Sequence, residues 1–141
     1  GEQAILGAIK YQKNDVVMHT DTRLLPRRKA TWSSWNYMLQ SNTQHPPILT
    51  YSMNILQGIK SDVEFCVTLN ATNQIDPQKI LGQYEYAHPV FSQAAMQAQE
   101  KWENINGVNR TWFCGAYWFN GFHEDGVNSA LRVVKAMEMQ M

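Results

Sequence analysis

The chain has 141 residues, enough for one domain, with 44% hydrophobic and 17% charged residues. That is enough apolar material for a core and too little charge for a disordered chain. Twelve basic residues balance twelve acidic ones, so the chain lacks the basic surface that nucleic-acid binding demands. The one basic cluster, Arg27-Arg28-Lys29, reads as a solvated turn. No apolar run approaches the length of a membrane span and no leader pattern is present, so no membrane span is expected. The four histidines show no metal-ligand spacing, and no metal site is predicted.

Taken in order, residues 1–10 place Ala4, Ile5, Ala8 and Ile9 on one helical face. Asn14-Asp15 breaks that pattern, and 15–19 reads as a strand. Residues 20–29 form a loop that Pro26 closes. Residues 30–38, ATWSSWNYM, read as a strand with Trp32 and Trp35 on opposite faces. A polar turn spans 41–47, and 48–53 is the next strand. Residues 54–59 suggest a short helical turn ended by Gly58. Residues 63–69, VEFCVTL, are the clearest strand, and 80–87 form another, which Pro89 ends. Residues 92–104 read as a helix with Ser92 as N-cap and Ala95, Met96, Gln99, Trp102 and Ile105 on one face.

The last third carries the densest signal. Residues 111–117 read as a strand, followed by a turn with Gly115, Gly121 and Gly126 and a helix from about Asp125 to the chain end. Val127, Ala130, Leu131, Val134 and Met137 fall at helical spacing and are expected to be buried. The predicted class is α+β, a mostly antiparallel sheet flanked by helices, closing in a strand–glycine turn–helix.

Few residues suggest chemistry. A glycine turn that opens a helix suits an anionic ligand, because free N–H groups and the helix dipole point to one spot. It also suits a plain junction in which Glu124 and Asp125 cap the helix. His123 is the nearby group that titrates near neutral pH. Trp32, Trp35, Tyr117 and Trp118 belong to an aromatic set that serves either a pocket wall or the core. His19 and Asp21 read as a structural hydrogen-bonded pair. Cys66 and Cys114 sit in apolar runs and read as buried, reduced thiols of a cytoplasmic protein, with a disulfide left open.

Several motifs together resemble a bacterial family of NAD/FAD-binding proteins related to the flavin-containing amine oxidases. They are HTD (19–21), ATWSSWNY (30–37), YSMNILQG (51–58), YEYAHPVF (84–91) and the closing TWFCGAYWFNGFHEDGVNSALRV (111–133). The resemblance spans nearly the whole chain, in order. It implies the C-terminal portion of a two-domain flavoenzyme whose GxGxxG fingerprint lies upstream. Residues 1–104 would then be the substrate-side part and 105–141 the segment that returns to the FAD domain. The resemblance places Gly115, Ala116, Glu124, Asp125, Gly126 and Val127 near FAD. Trp32, Trp35, Tyr117 and Trp118 would shape the pocket of a small-molecule or lipid-like substrate, and His123 would handle a proton. The YWFN insertion and the HED trio depart from typical amine oxidases, so an amine substrate is not implied. On this reading the 141 residues bind little FAD alone and self-associate through surfaces that the rest of the protein would cover. A stand-alone binding domain, or a protein using FAD structurally, is the alternative.

Overall fold

The computed structural model describes residues 1–39 and 47–139. By its contacts the chain forms two compact units, Lys13–Ala87 and a second made of Gly1–Gln12 with His88–Met141. Residues 88–104 therefore share a unit with the C-terminal segment.

The Lys13–Ala87 unit is built on a sheet. Its strands are β1 (Tyr11–His19), β2 (Trp35–Met38), β3 (Ile48–Ser52), β4 (Cys66–Leu69) and β5 (Ile80–Pro89), in the order β2-β3-β4-β1-β5. The pairs β2·β3, β3·β4 and β1·β4 are antiparallel. Short connections between sequential strands favour that arrangement. The expected α+β class with an antiparallel sheet is found.

Alternation along the strands gives the sheet two different faces. On one, Val17, Ile48, Leu24, Ala71 and Ile75 form an apolar cluster, beside buried His19, Thr50, Ser52, Cys66 and Thr68. On the other, the register aligns Trp35, Tyr51, Val67 and Met18 in one row and Tyr37, Leu49, Leu69 and Val16 in the next. Trp35 at the end of the first row is 59% exposed.

Several strand limits differ from the sequence reading, each for a local reason. β1 begins at Tyr11 because Asn14 and Asp15 find partners and do not break it. Asn70 Nδ2 donates to Asn14 Oδ1 at 3.0 Å, and Thr72 Oγ1 donates to Asp15 Oδ2 at 2.6 Å. β2 begins only at Trp35. The Asn36 amide bridges the Ser33 backbone, accepting from its N–H at 3.1 Å and donating to its carbonyl at 2.9 Å. Trp32 is thus off the strand, and Lys29–Thr31 form a 3-10 turn. β4 loses residues 63–65, whose backbone is taken by Asn54: Phe65 N–H donates to Asn54 Oδ1 at 3.0 Å and Asn54 Nδ2 to Val63 O at 2.8 Å. The short helix α2 (Met53–Gln57) is as expected, capped by Ser52 and ended by Gly58 at φ 65°. Of the polar turn expected over 41–47, residues 41–46 lie outside the described residues.

The other unit is helical. It contains α1 (Glu2–Leu6), shorter than the expected 1–10, then α3 (Gln93–Gln99) and α4 (His123–Glu138). Ser92 caps α3 as predicted, accepting from Ala95 N–H at 3.2 Å. The helix ends at Gln99 and gives way to a 3-10 turn, Trp102–Asn104. Ile5, Ile9, Ala95, Ala98, Trp102, Ile105 and Trp118 form the core. Met96, expected on the buried face, is exposed, because the buried face runs through Ala95 and Ala98 instead.

Two larger corrections concern the last third. Residues 111–117 do not form a strand; 111–114 lie outside any helix or ladder, and Ala116–Trp118 form a 3-10 turn. Side chains occupy this backbone in place of a neighbouring strand. Phe113 N–H donates to Asn106 Oδ1 at 2.6 Å, and Phe113 O accepts from Trp102 Nε1 at 3.1 Å. The predicted buried face of α4 is outward: Val127, Leu131, Val134 and Met137 are each about half exposed. Ala130 is exposed as well. Ser129 is the fully buried residue of the helix, and Val133 and Ala136 pack on the core. Small side chains on that face let α4 approach the glycine turn closely.

Candidate functional site

The glycine turn and the first turn of α4 form one piece. Gly115 adopts φ 154° and ψ 156°. A Cβ there would lie 2.3 Å from Tyr117 Cε1, so only glycine fits. The Gly115 N–H donates to Ser129 Oγ at 3.0 Å, tying the turn to the second turn of α4. Gly121, at φ 90°, lets its N–H return to Ala116 O at 3.2 Å. Gln99 reaches across from α3, its Nε2 donating to Tyr117 O at 2.9 Å and Phe119 O at 2.7 Å. A rigid, side-chain-braced loop thus leads into the helix.

The acidic trio divides its labour. Asp125 Oδ2 accepts from Phe122 N–H at 2.9 Å and Asn120 N–H at 3.2 Å, so its charge is spent on shaping the turn. Glu124 and His123 are exposed. Residue 122 at the N-cap is Phe, which offers no side-chain acceptor to the first-turn N–H groups. At Gly126 an added Cβ would meet only Ala116 Cβ, at 4.0 Å. The contact between turn and helix therefore does not itself demand a glycine there.

The structure brings Gly115, Ala116, Asp125 and Gly126 together, with Glu124, His123 and Val127 on the outer side of the same helix turn. Tyr117 and Trp118 are adjacent, their rings 5.3 Å apart. Trp118 is 3% exposed and belongs to the core, whereas Tyr117 is half-buried. Trp32 and Trp35 lie in the sheet unit. Trp32 is committed to its loop, with Nε1 donating to Pro26 O at 2.8 Å and Lys29 Nζ 5.4 Å from its ring centroid. Trp35 stands on the open sheet face.

On the covered sheet face His19 and Asp21 form the structural pair expected from HTD. Asp21 N–H donates to His19 Nδ1 at 3.1 Å, which fixes the neutral tautomer with the proton on Nε2. Nε2 then lies 2.8 Å from Thr68 Oγ1, itself 2.9 Å from Thr50 Oγ1. Burial lowers the His19 pKa, opposed by the Asp21 charge. Asp21 accepts from Arg23 Nε at 2.9 and 3.0 Å and from Asp76 N–H at 2.9 Å. The Arg23 guanidinium chiefly holds its carboxyl well below the usual range. Cys66 is buried and free, and burial pushes its thiol up to about 12. Cys114, expected to be buried, is exposed and also free, because the segment it occupies is not a sheet strand.

The bracing roles of Ser129, Gln99 and Asn106 were not read from the sequence. Their one signal is a polar side chain interrupting an apolar face, which periodicity treats as noise. Among the described residues no cluster of His, Cys, Asp and Glu is arranged to hold a metal ion. None of the described helices is long and apolar enough to cross a membrane. No protein-family model matches the chain, and no curated protein matches it.

Proposed function

We propose that this chain is the C-terminal portion of an FAD-dependent oxidoreductase similar to the amine-oxidase-like flavoenzymes, acting on a small-molecule or lipid-like substrate. The observation that carries the reading is the braced glycine turn laid on the first turn of α4, with Gly126 open beside Ala116. A glycine that internal packing does not require leaves room for a ligand to approach backbone closely. The helix end beyond it has no side-chain acceptor at its N-cap, and its dipole favours an anionic group such as a dinucleotide phosphate.

These residues fit the group. Gly115, Ala116, Gly126 and Val127 would form one wall of the cofactor site, and Asp125 would hold the turn in shape. Glu124 is the acidic side chain left facing outward. FAD, when bound, supplies the capacity to accept a hydride equivalent from the substrate. His123 would hold or release a proton at the edge of the site. Tyr117 is the aromatic beside the turn with surface to offer a substrate, and Trp118 adjoins it from the core. The apolar segment 111–114, which has no strand ladder, and the outward apolar stripe of α4 agree with a chain that packs against further protein.

The competing reading is a binding domain without catalysis, favoured by the open aromatic rows of the sheet. Flavin content separates the two. The reading frame upstream of Gly1 is predicted to encode a strand followed by GxGxxG and a helix. Protein expressed from the complete frame is expected to purify yellow, with about one flavin per chain, and a colourless preparation overturns the flavoenzyme. Given turnover, His123→Gln is expected to alter the pH–rate profile near neutrality; an unchanged profile removes the proton-handling role.

A further inference from the structure

The C-terminal half of α4 borders a cleft of about 520 Å³, away from the glycine turn. Its aromatic walls are Trp102 and Trp112, whose ring centroids are 6.3 Å apart at an interplanar angle of 46°. Arg132, Lys135 and Glu103 supply the charges. The Trp102 ring is held firmly. Trp102 Nε1 donates to Phe113 O at 3.1 Å, and Asn106 Nδ2 donates to Trp102 O at 2.7 Å.

Arg132 is the informative residue. Its guanidinium stacks over the Trp102 ring at 4.0 Å, which pre-orders a long side chain. Its one ionic neighbour is Glu103 at 3.6 Å, too far for a hydrogen bond, and the Glu103 side chain is 83% exposed. Among the described residues the guanidinium makes no hydrogen bond, so a planar fork of donors is oriented but unfilled. The Lys135 ammonium likewise has no partner among the described residues. Two cations face one solvated carboxylate, so the cleft carries a net positive charge beside the half-buried Trp112 ring, while Trp102 lies buried beneath Arg132.

We propose that this cleft is a binding site for a small aromatic carboxylate. The ring packs against Trp112 and the carboxylate takes the fork of Arg132, with Lys135 adding a second positive charge. A flat ring suits the half-buried indole of Trp112. A carboxylate matches the spacing of two parallel guanidinium donors, which a neutral hydroxyl does not. The inference is independent of the flavin reading, since it uses neither the glycine turn nor the first turn of α4.

The test is titration of the chain with 2-naphthoate, followed by the indole N–H signals in NMR spectra. The Trp112 signal, assigned with Trp112→Phe, is expected to shift and saturate. The neutral 2-naphthylmethanol is expected to bind about tenfold more weakly, a difference of about 1.4 kcal/mol. Arg132→Gln is expected to weaken naphthoate to the level of the alcohol. Arg132→Lys, which keeps charge but not the fork, is expected to weaken it nearly as far. Lys135→Gln removes an exposed charge that holds no other group, so it tests the site in a folded protein even if Arg132 variants unfold. It is expected to weaken naphthoate about threefold, with less effect at high salt. Absence of saturation, equal binding of acid and alcohol, or insensitivity to Lys135→Gln overturns the site.

Discussion

The two units solve opposite problems. The sheet unit turns polar side chains inward. Thr50, Thr68, His19, Asp21 and Ser52 are all buried, and each has a partner: Thr50 with Thr68, Thr68 with His19, Asp21 with Arg23, and Ser52 with Glu64. The helical unit turns apolar side chains outward, with Val127, Leu131, Val134 and Met137 on the free side of α4 and small residues against the core. A buried polar network must be complete within its own unit, because one missing partner leaves a desolvated group unpaired. An exposed apolar stripe is complete only when something covers it. The polar network of the sheet unit is thus complete within itself, whereas the apolar stripe of α4 stands exposed.

The comparison breaks most sharply at Gly115. Gly115→Ala forces a Cβ to 2.3 Å from the Tyr117 ring at a φ of 154°, and is expected to destabilise the helical unit by about 2–4 kcal/mol. Hydrogen exchange is the measurement. Protection is expected to fall in α3 and α4, and an equal fall across β3 and β4 would show that the units do not open separately.

Acid acts on the sheet unit instead. The His19 pKa is lowered on folding, so the unfolded chain takes up that proton first, and stability declines as the pH falls below the ordinary histidine value of 6.5. The Asp21 carboxyl is also depressed, so its contribution is intact above its ordinary value of 3.8 and is lost as the pH falls below it. Urea midpoints measured between neutral pH and about pH 4 are expected to fall. His19→Gln is expected to flatten the upper part of that fall, and an unchanged slope in the variant would show that His19 does not report on the sheet.

The smallest effect is predicted for the outward stripe. Leu131→Gln, at a position 49% exposed, is expected to change stability by about 0.5 kcal/mol or less. It is expected to reduce any self-association seen by sedimentation. A loss several times larger would mean that the stripe is covered within this chain.

Much of the fold is legible where one local rule decides. Ser92 announces a helix start because a hydroxyl can take an early N–H, and Gly58 ends α2 because it accepts a left-handed turn. The β-branched runs around Thr50 and Thr68 mark strands whose inward polar atoms pair across the sheet. The glycines at 115 and 121 were legible as a turn before a helix, whereas Gly126, expected in the turn, lies inside α4, which begins earlier, at His123. The bracing by Gln99 and Ser129 was not, because each acts on backbone 14 to 20 residues away along the chain. Nor was the cleft at Trp102 and Arg132, which joins residues distant in sequence.

The end of the chain shows what each level decides. The sequence alone determined that an amphipathic helix follows the glycine turn, since the spacing of Val127, Leu131 and Val134 sets an apolar stripe whatever surrounds it. Only the tertiary structure decided which side of that helix meets the core. The choice fell on the face with Gly126, Ser129 and Ala136, where backbone can approach the glycine turn and Ser129 can take the Gly115 N–H. Periodicity orders the side chains around an axis. Close packing selects the face that faces inward, because a partner must fit against it.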